Sequence, residues 1–69
     1  MAVGLRNTLR AQRARRNLTQ EDLAALAGVT RKTINTIENG RFVPSTTLAL
    51  TLARVFRVRV EDLFSLDEG

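Results

Sequence analysis

Residues 18–41 read LTQEDLAALAGVTRKTINTIENGR, and the signals that start and stop helices in this stretch decide the fold. Thr19 is followed by an acidic residue three positions later, Asp22, which is the arrangement of a capping box and predicts that a helix begins at Gln20. Gly28 is the residue expected just past a helix end, because glycine adopts the left-handed conformation at little cost. The stretch therefore predicts a short helix that ends in a tight turn.

A second short helix is predicted directly after this turn, over residues 31–39, with Thr30 as its N-cap and Gly40 at its end. Ile34 and Ile37 are spaced to dock it on a core. The polar residues that this docking leaves facing outward or at the margins are Arg31, Lys32, Thr33, Asn35 and Thr36. Arginine, lysine and asparagine can bond base edges in the major groove of DNA, whereas any solvated helix face would also be polar.

Three further helices are predicted around this pair. The first runs from Leu5 to Arg16, the fourth from a Ser45 cap to about Phe56, and a short fifth from Glu61 to about Leu66. The expected fold is all-α: a compact five-helix domain over residues 1–69, with a helix-turn-helix at about 20–39 and rear helices at about 45–66. Both the length of 69 residues and the content of one proline and four glycines suit one small helical domain.

The amino-acid composition excludes several classes of function. The chain has no cysteine and no histidine, so it lacks disulfides, thiolate or imidazole metal ligands and the commonest general base. We therefore expect no enzyme, no metal site and no cofactor. The apolar start is too short for a signal peptide, and no run approaches a membrane span, so we expect a cytoplasmic protein with no membrane partner.

The basic residues are concentrated toward the front of the chain. Residues 1–41 hold eight basic and three acidic residues, whereas residues 42–69 hold three basic and four acidic ones, within an overall charge of +4. A basic front half favours a polyanionic partner such as DNA. Ordinary solubility charge is the alternative that composition leaves open.

The stretches LTQEDLA (residues 18–24) and GVTRKTINTIENGR (28–41) resemble the Cro/repressor-type helix-turn-helix domain, also called lambda-repressor-like or xenobiotic-response-element type. LARVF (52–56) and VEDLF (60–64) agree with it, so the resemblance extends from about Leu5 to Phe64. It is nearest to the short single-domain regulators of bacteria and archaea. It implies a DNA-binding domain that reads base edges with the five polar residues of the helix over 31–39.

The resemblance also implies roles for residues around that helix. Gln20, Asn39 and Arg41 match positions that contact the DNA backbone. Arg13 and Glu38 match a pair that forms a structural salt bridge between the first and third helices, so Arg13 is not expected to contact DNA. The chain departs from the family at Arg57, where the family usually has a glycine after the fourth helix.

Family members usually pair two reading heads on a palindromic operator, because one recognition helix reads only a few base pairs. We therefore expect a homodimer. The apolar residues expected at its interface, at the margin of the fourth helix and on the fifth, are Leu48, Leu50, Val55, Phe64 and Leu66. The alternative is that these side chains complete a small core.

The sequence therefore predicts a sequence-specific regulator of transcription that binds double-stranded DNA, acting as a repressor or autoregulator with no small-molecule ligand evident. An alternative on the same scaffold is an antitoxin or protein-binding adaptor, with a toxin-like protein as its partner. RNA binding is disfavoured, because three phenylalanines without tyrosine or tryptophan offer few platforms for base stacking.

Overall fold

The structure, a computed structural model, describes residues 4–68. Residues 1–3 and 69, which the predicted domain 1–69 includes, lie outside the described residues. Five helices are framed by two short strands, and in chain order the elements are β1 (Gly4–Asn7), α1 (Leu9–Arg15), α2 (Gln20–Ala27), α3 (Arg31–Glu38), α4 (Thr46–Phe56), α5 (Val60–Leu63) and β2 (Phe64–Asp67).

Every helix contributes at least one side chain to a single apolar core. Its buried members are Leu9, Leu23, Ala24, Ile34, Ile37, Leu52, Ala53, Phe56 and Leu63. Phe56 is the largest of them and has no exposed surface. In so small a domain the burial of these side chains is the main favourable contribution to folding, so the direction in which each helix faces is set by its contact with this core.

The helix starts predicted for the middle of the chain are confirmed by their hydrogen bonds. The Thr19 hydroxyl accepts from the Asp22 amide at 3.0 Å, and the Asp22 carboxylate accepts from the Thr19 amide at 3.0 Å. Thr30 and Ser45 cap α3 and α4 in the same way, through the amides three residues further on. Local chemistry therefore fixes where these helices begin.

The expectation of an all-α fold is wrong in one respect, because the two ends of the described chain form an antiparallel two-stranded sheet. Gly4 pairs with Asp67, and Asn7 pairs with Phe64. The Thr8 amide continues this contact by donating to the Leu63 carbonyl at 2.9 Å. Pairing between segments about sixty residues apart depends on how the helices bring the ends together, which helical periodicity within either segment does not show.

This sheet shortens two of the predicted helices. Leu5 lies on β1, and α1 begins only at Leu9, whose amide donates to the Asn7 side-chain oxygen at 3.2 Å. At the other end α5 stops at Leu63, so Phe64 and Leu66 lie on β2 rather than on the last helix. Both changes follow from backbone groups being satisfied across the sheet instead of along a helix.

Arg57 ends α4 in the left-handed conformation, with φ 56° and ψ 43°. Its amide donates to the Arg54 carbonyl at 3.1 Å, and its side chain is exposed. The backbone at this position is one that glycine adopts freely and arginine adopts at a cost of about 1–2 kcal/mol. The chain therefore carries local backbone strain at the end of α4.

Replacing Arg57 with glycine is expected to raise the free energy of unfolding by about 0.5–1 kcal/mol, since relief of strain exceeds the added entropy of the unfolded chain. Urea denaturation followed by circular dichroism measures the change. The matched control is Arg54→Gly, at an exposed position inside α4, which should lose about 1 kcal/mol. Equal losses in the two variants would contradict the assignment of strain to Arg57.

Candidate nucleic-acid interface

The turn between α2 and α3 sets the angle at which α3 leaves the core. Gly28 adopts φ 73°, and the following amide, that of Val29, donates to the Ala24 carbonyl at 3.0 Å. Ala24 itself is only 3% exposed. A larger side chain at Ala24 would meet the packed core, so a small residue there lets the two helices pack closely.

Ile34 and Ile37 bury the inner face of α3 and leave its other side in solvent. Among the residues predicted to contact bases, Arg31, Lys32 and Asn35 are exposed, and Thr33 and Thr36 are half-buried. Of the predicted phosphate contacts, Asn39 and Arg41 are exposed and Gln20 is half-buried at the start of α2. The structure thus brings the predicted base-reading residues together on one helix, bordered by Gln20 and Asn39.

Beneath this surface lies the carboxylate of Glu38, whose side chain has no exposed area. Arg13 of α1 contacts it at two points, with Nε 2.6 Å from Oε2 and Nη2 3.0 Å from Oε1. Gln20 of α2 donates to Oε1 at 3.1 Å. This one carboxylate therefore connects α1 and α2 to the last turn of α3.

The same contacts determine the charge of Glu38. Burial raises the pKa of its carboxyl group, but the hydrogen bonds from Arg13 and Gln20 and the positive charges of Arg13 and Arg10 act in the opposite direction. The net pKa lies below its ordinary value of 4.5, so the group is ionised at neutral pH. The hydrogen bond to Glu38 likewise raises the pKa of Arg13.

Arg10 is a residue of this surface that the predicted site omits. Its Nε lies 3.7 Å from Glu38 Oε1, yet its side chain is 70% exposed, so most of the guanidinium faces solvent. Its position one turn before Arg13 on α1 is the signal that places it on the same side of the helix. The positive surface therefore extends from α3 onto the first helix.

A chain of hydrogen bonds runs across the polar surface. Arg31 Nη1 donates to Gln20 Oε1 at 3.4 Å, Gln20 Nε2 donates to Asn35 Oδ1 at 3.2 Å, and Asn39 Nδ2 donates to the same Asn35 oxygen at 3.1 Å. The Thr36 hydroxyl donates within the helix, to the Lys32 and Thr33 carbonyls. These side chains are consequently held in place before any ligand arrives.

The residues expected at a dimer interface divide into two groups. Leu50 and Leu66 are 54% and 63% exposed. Leu48, Val55 and Phe64 are half-buried and pack against the core, so much of their apolar surface is already covered. The loop residues Phe42 and Val43, which no pattern in the sequence marked, are also exposed. Together with Leu66 they line a groove of about 300 Å³ between this loop and the sheet.

None of the helices within residues 4–68 has the length and apolar character to cross a membrane. The same residues contain no group of three or more side chains of the acidic, histidine or cysteine types that could hold a metal ion.

Comparison with known proteins identifies the class. The helix-turn-helix family HTH_3 matches residues 9–63. An HTH-type transcriptional regulator of Methanocaldococcus jannaschii is 47% identical over 64 residues, covering 93% of this chain and 97% of the relative. The HTH-type transcriptional regulator YgzD of Bacillus subtilis is 42% identical over 64 residues, covering 93% and 97%.

A solved structure agrees with these relatives. The restriction-modification controller protein C.AhdI from Aeromonas hydrophila superimposes with a TM-score of 0.74 at 31% identity, covering 78% of this chain and 82% of that one. The chain belongs to the helix-turn-helix family of DNA-binding transcriptional regulators.

The lowered pKa of Glu38 determines how the stability of the fold changes with pH. Because the folded-state pKa lies below the ordinary value of 4.5, the carboxylate contributes stability above that pH, and the contribution is lost as pH falls through the lower folded value. Glu38→Gln should lose about 1.5–3 kcal/mol at pH 7. The difference in free energy of unfolding from the unsubstituted chain should shrink as the pH falls below 4.5.

Urea denaturation at a series of pH values tests this. The control is Glu61→Gln, which removes an exposed carboxylate paired with Arg59 at the surface and should change stability much less. A difference between Glu38→Gln and the unsubstituted chain that stays constant down to acidic pH would show that ionised Glu38 does not stabilise the fold.

Proposed function

We propose that this chain is a sequence-specific regulator that inserts α3 into the major groove of double-stranded DNA. The observation that carries the proposal is the outward face of α3, where Arg31, Lys32 and Asn35 are exposed while Ile34 and Ile37 are buried. An α-helix fits the major groove, and these side chain types bond base edges there. The similarity to transcriptional regulators over most of the chain supports this proposal.

Electrostatics favours the same partner. The exposed charges of α3 are the cations Arg31 and Lys32, and the acid of this helix, Glu38, is buried against Arg13. A phosphate backbone approaching this surface therefore meets positive charge and no uncompensated carboxylate from α3. Of the residues that border the helix, we assign Arg41, through its exposed side chain, and Gln20, through its main-chain amide at the start of α2, to contacts with that backbone, which would set the register of α3 on the duplex. Asn39, which the resemblance placed among the backbone contacts, donates both hydrogens of its side-chain amide to Asn35 and so keeps none for a phosphate.

We further propose that the regulator acts as a repressor or autoregulator on a palindromic operator. A protein seated in the major groove of a promoter obstructs the polymerase, so occupancy alone suffices for repression. A homodimer would double the number of base pairs read, with half-sites about one helical turn apart. The exposed Leu50 and Leu66 support a dimer, because burying large apolar side chains against a partner lowers the free energy.

The reading face is tested by alanine substitution of Lys32, Asn35 and Thr36. After selection of bound sites from random duplex DNA, each variant should lose about 1–3 kcal/mol of discrimination between the selected and a scrambled duplex. The variants should remain folded by circular dichroism. Arg54→Ala, which removes a positive charge from an exposed position on α4, is the matched control and should keep the discrimination. If the ratio of affinities for the selected and scrambled duplexes is unchanged in all three variants, this face of α3 is not the surface that reads bases.

The dimer is tested by light scattering and by the salt dependence of binding. We expect twice the monomer mass, with Leu50→Glu or Leu66→Glu dissociating the dimer. Leu26→Glu, at a 59% exposed position on α2, should leave it intact. With about 6–10 phosphate contacts, affinity should fall by about 10³–10⁵ between 50 and 200 mM salt. A single chain per bound duplex would contradict the dimer.

A further inference from the structure

The side-chain amide of Asn35 is held from two sides by neighbouring amides. Its Oδ1 accepts from Gln20 Nε2 at 3.2 Å and from Asn39 Nδ2 at 3.1 Å. The Asn39 amide is itself anchored, because its Nδ2 also donates to the Asn35 backbone carbonyl at 2.9 Å. An amide oxygen has two lone pairs, so both are engaged and Nδ2 is the atom that Asn35 offers to solvent.

Two charged side chains fix which way these amides point. Glu38 can only accept, so the Gln20 atom 3.1 Å from its Oε1 must be the donor Nε2. Arg31 can only donate, so the Gln20 atom facing its Nη1 must be the acceptor Oε1. Because Gln20 Nε2 then points at Asn35, the Asn35 atom facing it must be Oδ1. A reversed amide at either residue would set like groups against each other.

We propose that Asn35 reads DNA as a hydrogen-bond donor only, and therefore selects a keto base, guanine or thymine, over an amino base. This inference rests on the proposed function, in which α3 enters the major groove. There guanine offers the acceptors O6 and N7 and thymine offers O4, whereas cytosine offers an amino donor and adenine an amino donor beside N7. The bidentate asparagine–adenine contact needs a free Oδ1.

Gln20 and Asn39 are the positioning residues in this arrangement. Reading adenine with both amide atoms would require Asn35 to give up hydrogen bonds from both of them. Without those bonds its amide could rotate and accept from the amino group of adenine. The preference for keto bases thus depends on the hydrogen bonds that Gln20 and Asn39 make to Asn35. Of these three residues, only Asn35 contacts the base.

The test starts from selection of bound sites with the unsubstituted chain and with Asn35→Ala. The position at which Asn35→Ala loses its base preference is the one that Asn35 reads, and the unsubstituted chain should prefer guanine or thymine there. Binding to four duplexes that differ only at this position should favour the keto bases over cytosine by about 5- to 150-fold, and over adenine by less, because adenine N7 still accepts one hydrogen bond. Asn35→Asp, which has the same shape but only acceptors, should reverse the order toward cytosine and adenine.

Gln20→Ala and Asn39→Ala separate positioning from simple contact. Each should reduce the preference for keto bases over adenine. A residue that touched only phosphate would instead weaken all four duplexes equally and leave their ratios unchanged, and that result would overturn the positioning role. Glu21→Ala, at the exposed neighbouring position in α2, is the matched control and should keep the ratios.

The outcomes for the two proposals differ. If the unsubstituted chain binds selected duplexes but prefers adenine or cytosine at the position read by Asn35, the donor-only inference is wrong and the proposed function stands. If no duplex is selected at any salt concentration, the proposed function itself is wrong.

Discussion

The buried carboxylate of Glu38 is the contact on which the arrangement of the polar surface depends. It ends α3, where the helix dipole is negative, so an unpaired acid there would destabilise the helix. The two-point contact with Arg13 offsets both the burial of the charge and the unfavourable dipole. The same pair keeps a negative charge away from the phosphates that α3 is proposed to approach.

A second anchor holds α3 from the side of the sheet. Asn7, at the end of β1, donates from Nδ2 to the Ile37 carbonyl at 2.9 Å, and its Oδ1 accepts from the Leu9 amide that begins α1. The last turn of α3 is therefore held at two points. Asn7 bonds the main-chain carbonyl of Ile37, and Arg13 pairs with the side chain of Glu38. The sheet that replaces parts of the expected helices thus contributes to the position of α3.

The hydrogen bonds that hold the fold together also orient the residue proposed to read bases. Gln20 Nε2 donates both to the structural acid Glu38 and to Asn35 on the surface. A rigid helix that enters a groove loses little side-chain entropy on binding, because the rotamers of its reading residues are already restricted. Arg57, in contrast, carries backbone strain at an exposed corner outside this network.

Local chemistry in the sequence determined the helix-turn-helix. Thr19, Gly28 and Thr30 set the ends of α2 and α3 through bonds that span only three or four residues, and the spacing of Ile34 and Ile37 chose the buried face. These features could be predicted because each involves neighbours in the chain. The exposed polar side chains of α3 followed from them, since burying two isoleucines leaves the remaining side chains of a short helix outside.

Tertiary structure alone decided the features that join distant segments. The β1–β2 sheet pairs Gly4 with Asp67, and its register requires both ends to be brought together by the packed helices. The exposure of Phe42 and Val43 depends on how their loop lies against that sheet. The orientation of the Asn35 amide depends on Gln20, fifteen residues earlier, and through it on Glu38. The sequence identifies these residues, but hydrogen bonds between distant segments determine which atom of each side chain faces solvent.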